Sequence, residues 1–531
     1  MFDIIIQSAK IVDGTGSPWF MADVGIKDGK IVLVGNTLPR PNAVKVVDGT
    51  DRFLMPGFID THTHCDFELL GNPDLSYKLA QGVTTVGIGQ CGFSAAPVSE
   101  RYMDELDLYL GFTKAGIKTA WPWRSFAQWL DHLETHDLGV NVFSFAGHGT
   151  IRIAHMGFDN REITNVDIHA MADELRRCRE QGAAGLTTGL IYPPGVWAND
   201  FEISGMTACL SQSKGIYESH MRNEAGDLLA SVAETIGVGR KNNIPVIISH
   251  HKVCGSKNFG LVEQSLGLID EARAQGVDVC ANQYPYDVSS TTLRSILPGW
   301  VHDGGFEAMA KRLTDPDLKP RIIEEIEFSE DFDNMYRNSG GAGGILLLYF
   351  PQTPQYEGKS LARVAELHGR RPLETAFDLI LSNLGEDTCG FCVMSPKDVA
   401  EVIRHPAVFV ASDTIPGAPG AKVHPRTYGT FPRVLETFVK KERILRLEEA
   451  VWKISGFPAQ RMGLDTKGLI RPGMDADLVL VDMDRICDQS NFSTPDQRPL
   501  GIDLVMVNGK IAMEAQQTTN AGAGEVLRCG Q

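Results

Sequence analysis

The chain is short of positive charge. It has 50 Lys and Arg against 67 Asp and Glu in 531 residues, a formal net charge of −17. No basic run interrupts that balance, so nothing offers a footprint for a phosphate backbone, and nucleic acid is not an expected partner. Long apolar runs are missing as well. No stretch approaches the roughly 18 residues of a membrane span, which argues against a membrane partner. The N-terminal MFDIIIQSAKIVDG has neither a basic leader nor a long apolar segment, so a secretory signal is not expected. Phosphate-binding glycine loops are absent: GQCGF and NSGGAGG do not follow the G-x-G-x-x-G spacing, and there is no P-loop.

Paired cysteine motifs are also scarce. The ten cysteines are scattered, and a chain this long can build its core without disulfides. Reduced thiols in a cytoplasmic protein are the expectation. The single Cys389-Gly390-Phe391-Cys392 motif has no second pair nearby and no thioredoxin-like strand-to-helix start, so it reads as structural.

What is present is globular. Hydrophobic residues make up 43% and charged residues 22%, which excludes a largely disordered chain. Length alone suggests three to four domains at roughly 150 residues each, but one α/β barrel can absorb about 250 residues or more. The first ~55 residues look β-rich, with DVGIKDGKIVLVG alternating around Asp28-Gly29, a strong hairpin signal. The far end repeats this texture in DADLVLVDMD and in IDLVMVNGKIAM, the latter turning at Asn508-Gly509. Residues 1–55 and 465–531 are therefore expected to form one small, discontinuous β-sandwich, with residues 56–464 as a second domain inserted between them.

Within that second domain, short apolar segments with abrupt polar endings alternate with helical stretches such as VDIHAMADELRRCREQG, which ends at Gly182. The polar endings are GFIDTHTH, TTVGIGQCG, NVFSFAGHG, AAGLTTGLIY, IYESHM, PVIISHHK, VDVCANQYPY and AVFVASD. Eight such units predict an α/β fold of the TIM-type (β/α)8 barrel kind, with the active site at the C-terminal strand ends. About 120 residues separate Tyr286 from Ala407, too many for one loop and helix. Part of that span, about 288–345, reads as an inserted lid beside the barrel mouth.

The strongest chemical signal is PGFIDTHTH. His62 and His64 are two apart, so on a strand both imidazoles face the same way, a sound geometry for one metal ion. Cys91, His220, His250 and Asp413 end the second, fifth, sixth and eighth predicted strands and would converge on the same rim. Thiolate, imidazole and carboxylate are ligand types that zinc prefers. Lys252, two after His250, should face the pocket by strand periodicity.

These motifs, together with QGVTTVGIGQCGFSAAP, GHGTIR, GLTTGLIYPPG, SHMRNE, ISHHK, YPYDVSST, SDT and HPRTYG, resemble the amidohydrolase superfamily. More closely, they resemble its N-acyl-D-amino-acid deacylases, the D-aminoacylases, over nearly the whole chain. Many amidohydrolases bridge two metals with a carboxylated lysine on strand four. GLTTGL has none, and the deacylases instead take a cysteine ligand from strand two, matched by Cys91.

The resemblance implies a tightly held Zn²⁺ on Cys91, His220 and His250, and a second, weaker site on His62 and His64 with Cys91 placed to bridge. It implies Asp413 as general base and then general acid in the hydrolysis of an N-acyl-D-amino acid to a carboxylate and a D-amino acid. Zinc lowers the pKa of a bound water from 15.7 to about 7 and polarises a carbonyl; the aspartate carries the proton to the departing amine. Arg426 matches the substrate-carboxylate arginine, with Tyr284 and Ser290 as hydroxyl partners. Lys252 is a further carboxylate contact, and Tyr192 and His148 are candidate donors to the oxyanion.

This chain has Ser412-Asp413-Thr414 where the family often has Ser-Asp-Gly, and GAPGAK precedes His424. Both changes reshape the loop without removing a ligand. The alternatives are a cyclic-amide hydrolase of hydantoinase or dihydroorotase type, disfavoured by the missing lysine, and a non-catalytic barrel scaffold, disfavoured by the intact set of candidate ligands.

Overall fold

The computed structural model describes residues 1–35 and 43–529. Residues 36–42 and 530–531, within the two terminal segments assigned above to a sandwich, lie outside the described residues. The two chain ends meet in a nine-stranded sheet. Phe2–Ile11 pairs antiparallel with Phe20–Lys27 and parallel with both Ala43–Asp48 and Phe53–Pro56. Phe53–Pro56 pairs antiparallel with Leu478–Val481, which continues into Ile502–Val507 and Lys510–Glu514. Both hairpin turns have the left-handed pair that a two-residue loop needs: φ is 50° and 77° at Asp28-Gly29, and 47° and 77° at Asn508-Gly509. One face of this sheet buries its own apolar cluster, including Ile4, Ile6, Val24, Leu478 and Leu504.

The middle of the chain is α/β with parallel sheets. Phe58–Asp60, Val83–Ile88 and Asn141–Ser144 form one sheet. Ala146–Gly147, Gly185–Gly189, Ile216–His220, Val246–Ile248, Val279–Gln283 and Val408–Val410 form the other, also parallel. All these strands are buried along their length, as expected where helices cover a parallel sheet. The helix Asn165–Glu180 stops two residues before Gly182 (φ 112°) and opens with a capping box between Thr164 and Asp167.

The long excursion after Val279–Gln283 is an ordered subdomain. Its antiparallel sheet joins Ser289–Thr291, Thr388–Phe391 and Ile345–Tyr349. This reaches well past residue 345, because Thr388–Phe391 is the central strand that holds the other two. Cys389 is buried in that strand and Cys392 is exposed just after it. Among the described residues no helix is long and apolar enough to cross a membrane.

Candidate active site

The C-terminal ends of the parallel strands carry the candidate residues. Ile216–His220 ends on His220, His250 lies two residues past Val246–Ile248, and His62 lies two past Phe58–Asp60. Cys91 and Asp413 each lie three residues beyond their strands. Cys91, His250 and Asp413 all adopt left-handed backbone, with φ of 51°, 34° and 53°. Such residues cost about 1–3 kcal/mol each and persist only where the surroundings over-determine them, which is typical of functional sites.

The side chains converge on one cavity. Its wall includes His64, Cys91, Tyr192, His220, His250 and Asp413. His62 Nε2 lies 3.2 Å from Cys91 Sγ and 3.6 Å from Asp413 Oδ1, and His64 Nε2 lies 3.4 Å from the same oxygen. Cys91 Sγ lies 3.5 Å from His250 Nε2.

Three groups of donors each fall within 4.8 Å of one another: His62, Cys91 and His250; His62, His64 and Asp413; and His220, Glu224 and His250. The trio expected to hold the tight metal, Cys91 with His220 and His250, is not one of them. His250 belongs to both the cysteine group and the His220 group and links the two. Both ring nitrogens of the buried His220 lack a hydrogen-bond partner among the described residues. An imidazole left bare in this way fits a metal ligand better than a packing residue.

Electrostatics agree with that fit. Burial holds His220 and His250 well below the ordinary histidine range, so both rings are neutral and have a lone pair to offer. Burial, reinforced by Asp413 and Glu218, pushes the Cys91 thiol well above its usual value, so this sulfur needs a cation beside it to become a thiolate. Burial also raises the Asp413 carboxyl, but the Arg426 guanidinium beside it outweighs burial and holds the group well below the usual range. Arg426 Nη1 lies 2.9 Å from Asp413 Oδ2.

Two carboxylates that the sequence reading does not single out belong to the site. Glu218 Oε1 lies 2.8 Å from His62 Nδ1 and also accepts from Ser249 Oγ (3.1 Å) and Asn282 Nδ2 (2.9 Å). A carboxylate can only accept, so His62 Nδ1 carries a proton, and its Nε2 is turned toward Cys91 and Asp413. Spacing to His220 is the signal for Glu218, since residues two apart share a strand face. Glu224 lies in the SHMRNE motif, four residues after His220, and its Oε1 is 3.1 Å from His250 Nδ1.

The remaining candidates separate. Lys252 lines the cavity, but its Nζ already donates to Glu224 Oε1 (2.7 Å), so it is paired with a carboxylate rather than waiting for substrate. Tyr192 lines the cavity and bonds Thr291 Oγ1 at 3.0 Å; burial pushes its phenol well above the ordinary value, so it stays a donor.

Arg426 is fully buried behind the wall. Its guanidinium lies over the Tyr284 ring at 4.6 Å, and its Nη2 donates to the Ser290 carbonyl at 3.3 Å. The expected hydroxyl partners are thus replaced by a ring face and a backbone oxygen, and the Tyr284 hydroxyl points to Met394 Sδ (3.5 Å). His148 is outside the cavity wall. Its Nε2 is 2.8 Å from Glu202, which also takes Arg152 Nε at 3.2 Å, so this histidine is part of a buried hydrogen-bonded network away from the cavity.

The excursion reaches the site through Ser289, Ser290, Thr291 and Met335 on the cavity wall, and Asp333 Oδ2 accepts the Glu224 N–H at 2.8 Å. A second cavity shares Phe93, Phe112, Ile191, Tyr192 and Thr291 with the first and adds Phe158, Phe306 and Arg294. Arg294 Nη1 lacks a hydrogen-bond partner among the described residues, while Nη2 donates to the Tyr109 carbonyl at 3.2 Å.

Known proteins match this chain at every level. The amidohydrolase family matches residues 300–513. A D-aminoacylase from Alcaligenes xylosoxydans xylosoxydans is 32% identical, covering 99% of this chain and 97% of that one. An N-acyl-D-aspartate deacylase from the same organism is 33% identical, covering 99% and 95%. Among solved structures, the N-acyl-D-glutamate deacylase of Bordetella bronchiseptica, complexed with zinc and a phosphonate mimic of the tetrahedral intermediate, superposes with a TM-score of 0.84 at 31% identity and covers 99% of each chain.

Proposed function

Because this chain belongs to the D-aminoacylases and N-acyl-D-amino-acid deacylases of the amidohydrolase family, we propose that it hydrolyses the amide bond of N-acyl-D-amino acids, releasing a carboxylate and a free D-amino acid. The observation that carries this reading is the Asp413 carboxylate, 3.4 Å from His64 and 3.6 Å from His62, in a cavity whose wall also holds Cys91, His220 and His250.

In this reading Cys91, His220 and His250 would hold zinc, with a weaker second site at His62 and His64. Bound there, it would supply acidity for the attacking water and positive charge for the carbonyl oxygen. The protein's own groups do the rest. Asp413 takes a proton from the water as it attacks the carbonyl and returns one to the amine nitrogen as the C–N bond breaks. Glu218 fixes the His62 ring, and Glu224 fixes His250 by accepting from its Nδ1. The Tyr192 hydroxyl donates toward the developing oxyanion. Arg426 serves the substrate carboxylate electrostatically from behind Tyr284 while holding Asp413. The strand Gly185–Gly189 contains Thr187 and Thr188 and no lysine, which disfavours a lysine-bridged cyclic-amide hydrolase.

The scaffold follows the same reading. We infer that the two parallel sheets close into one (β/α)8 barrel. Support comes from Phe143 of the first sheet packing with Ile216, Ile247, Cys280 and Phe409 of the second, and from the Thr63–Thr414 parallel bridge between the first and last strand extensions. Residues 56–464 would be that barrel, and the two chain ends a small β-sandwich around the separate Ile4–Leu504 cluster. The ten free thiols support a cytoplasmic location.

The test is hydrolysis of N-acetyl-D-Met, N-acetyl-D-Glu and N-acetyl-L-Met by the purified protein, with bound metal measured alongside. Turnover of a D-substrate with zinc present is expected. Preference for the L-form, or no bound metal, would overturn the assignment.

A further inference from the structure

A buried ion pair lies just behind Asp413 and takes no part in the chemistry above. Lys78 is fully buried, and its Nζ lies 2.7 Å from Asp60 Oδ2. The same ammonium donates to Ser412 Oγ at 3.0 Å and to Thr414 Oγ1 at 2.7 Å. An ammonium has three protons, and these three oxygens take them. Asp60 in turn accepts the Ser412 N–H at 2.8 Å and its hydroxyl at 2.6 Å. The Thr414 N–H donates to Ser412 Oγ at 3.1 Å. Asp60, Lys78, Ser412 and Thr414 are all fully buried, and none is on the cavity wall.

Two of these residues bracket Asp413 in sequence, and a third, Asp60, ends the strand that leads to His62 and His64. Asp413 sits between Ser412 and Thr414 in left-handed backbone (φ 53°). Backbone bonds already tie the two segments together: Asp413 N–H donates to the His62 carbonyl at 2.9 Å, and His64 N–H to the Thr414 carbonyl at 2.8 Å. Those bonds fix the register. They leave the side chains of Ser412 and Thr414 free to turn, and the Lys78–Asp60 pair holds both on the side away from the cavity. With its neighbours anchored behind, the residue between them projects forward.

We propose that Lys78, acting with Asp60, Ser412 and Thr414, is a positioning residue that holds the Asp413 carboxylate between His62 and His64. Thr414, one of the chain's departures from the family pattern, is then the third acceptor of this clamp and not a neutral change. The proposal rests on the reading of Asp413 as proton carrier, and the experiment separates the two.

Lys78→Met would leave Asp60 buried without its counter-charge and is expected to fold poorly, so the informative pair is Thr414→Val and Thr414→Ser. Valine keeps the shape and deletes the hydroxyl; serine keeps the hydroxyl. Misplacing the carboxylate is expected to lower kcat by about 10- to 100-fold in Thr414→Val, with KM and zinc content close to wild type and a thermal midpoint lowered by the ammonium proton left without its acceptor. Thr414→Ser should restore most of kcat. Wild-type kcat in Thr414→Val would overturn the proposal. So would equal losses in the valine and serine variants, or a kcat loss that comes with lost zinc. Asp413→Asn is assayed in parallel. If it turns over normally, the role of Asp413 falls; if it is inactive while Thr414→Val is normal, only the clamp falls.

Discussion

Asp413 Oδ2 and Arg426 Nη1 form a buried ion pair of 2.9 Å, so the proposed proton carrier and the proposed carboxylate anchor are joined before any substrate arrives. The guanidinium is fully buried against the Tyr284 ring and cannot meet a ligand as a free surface arginine would. Its charge is already met by the aspartate.

Arg426→Ala should therefore raise KM for N-acyl-D-amino acids and also lower kcat. It removes the partner of a buried carboxylate, a change that commonly costs about 3–5 kcal/mol. Steady-state kinetics on the free acids and on the corresponding acyl-amino amides check this. The KM effect should be larger for the acids and the kcat effect common to both. A pure KM effect would show that the ion pair with Asp413 does not matter to turnover.

Asp413→Asn should keep zinc and lose turnover, because it deletes the proton carrier while leaving an oxygen of similar size. Cys91→Ala and His220→Ala should instead lose zinc, and with it the thermal stabilisation that a bound metal gives the native state. Metal analysis after dialysis and a melting curve with and without chelator distinguish the two classes. Loss of zinc from Asp413→Asn would make Asp413 chiefly a ligand.

Glu218→Gln should weaken metal binding about 10- to 100-fold, the usual cost of removing the carboxylate behind a ligating histidine. The amide can donate to His62 Nδ1 and so favour the wrong tautomer. Zinc titration of the apoprotein is the direct measurement, and unchanged affinity would mean that Glu218 only fills space.

Arg294→Met should lower kcat/KM for N-acetyl-D-Glu more than for N-acetyl-D-Met, because the unpartnered Nη1 belongs to the side chain that puts a positive charge in the adjoining aromatic cavity. Equal losses on both substrates would limit Arg294 to packing against Phe306, whose ring lies 4.8 Å from its guanidinium carbon.

Much of this was determined by the sequence alone, because it is local or periodic. Two histidines two residues apart must share a strand face, and Asp-Gly and Asn-Gly between alternating strands must turn. Polar residues that end apolar strands must gather at one rim. From these follow the parallel sheets, the hairpins at Asp28-Gly29 and Asn508-Gly509, and the presence of His62, Cys91, His220, His250 and Asp413 in one place. What the tertiary structure decided is what each charge does once it is there, since a buried charge takes whichever partner the fold brings to it. Lys252 went to Glu224, His148 to Glu202, and Arg426 to Asp413, across sequence separations that no local pattern encodes. The Lys78–Asp60 clamp is of the same kind. It joins the start of the chain to residues more than 330 positions away, and only desolvation in the folded core makes those contacts obligatory.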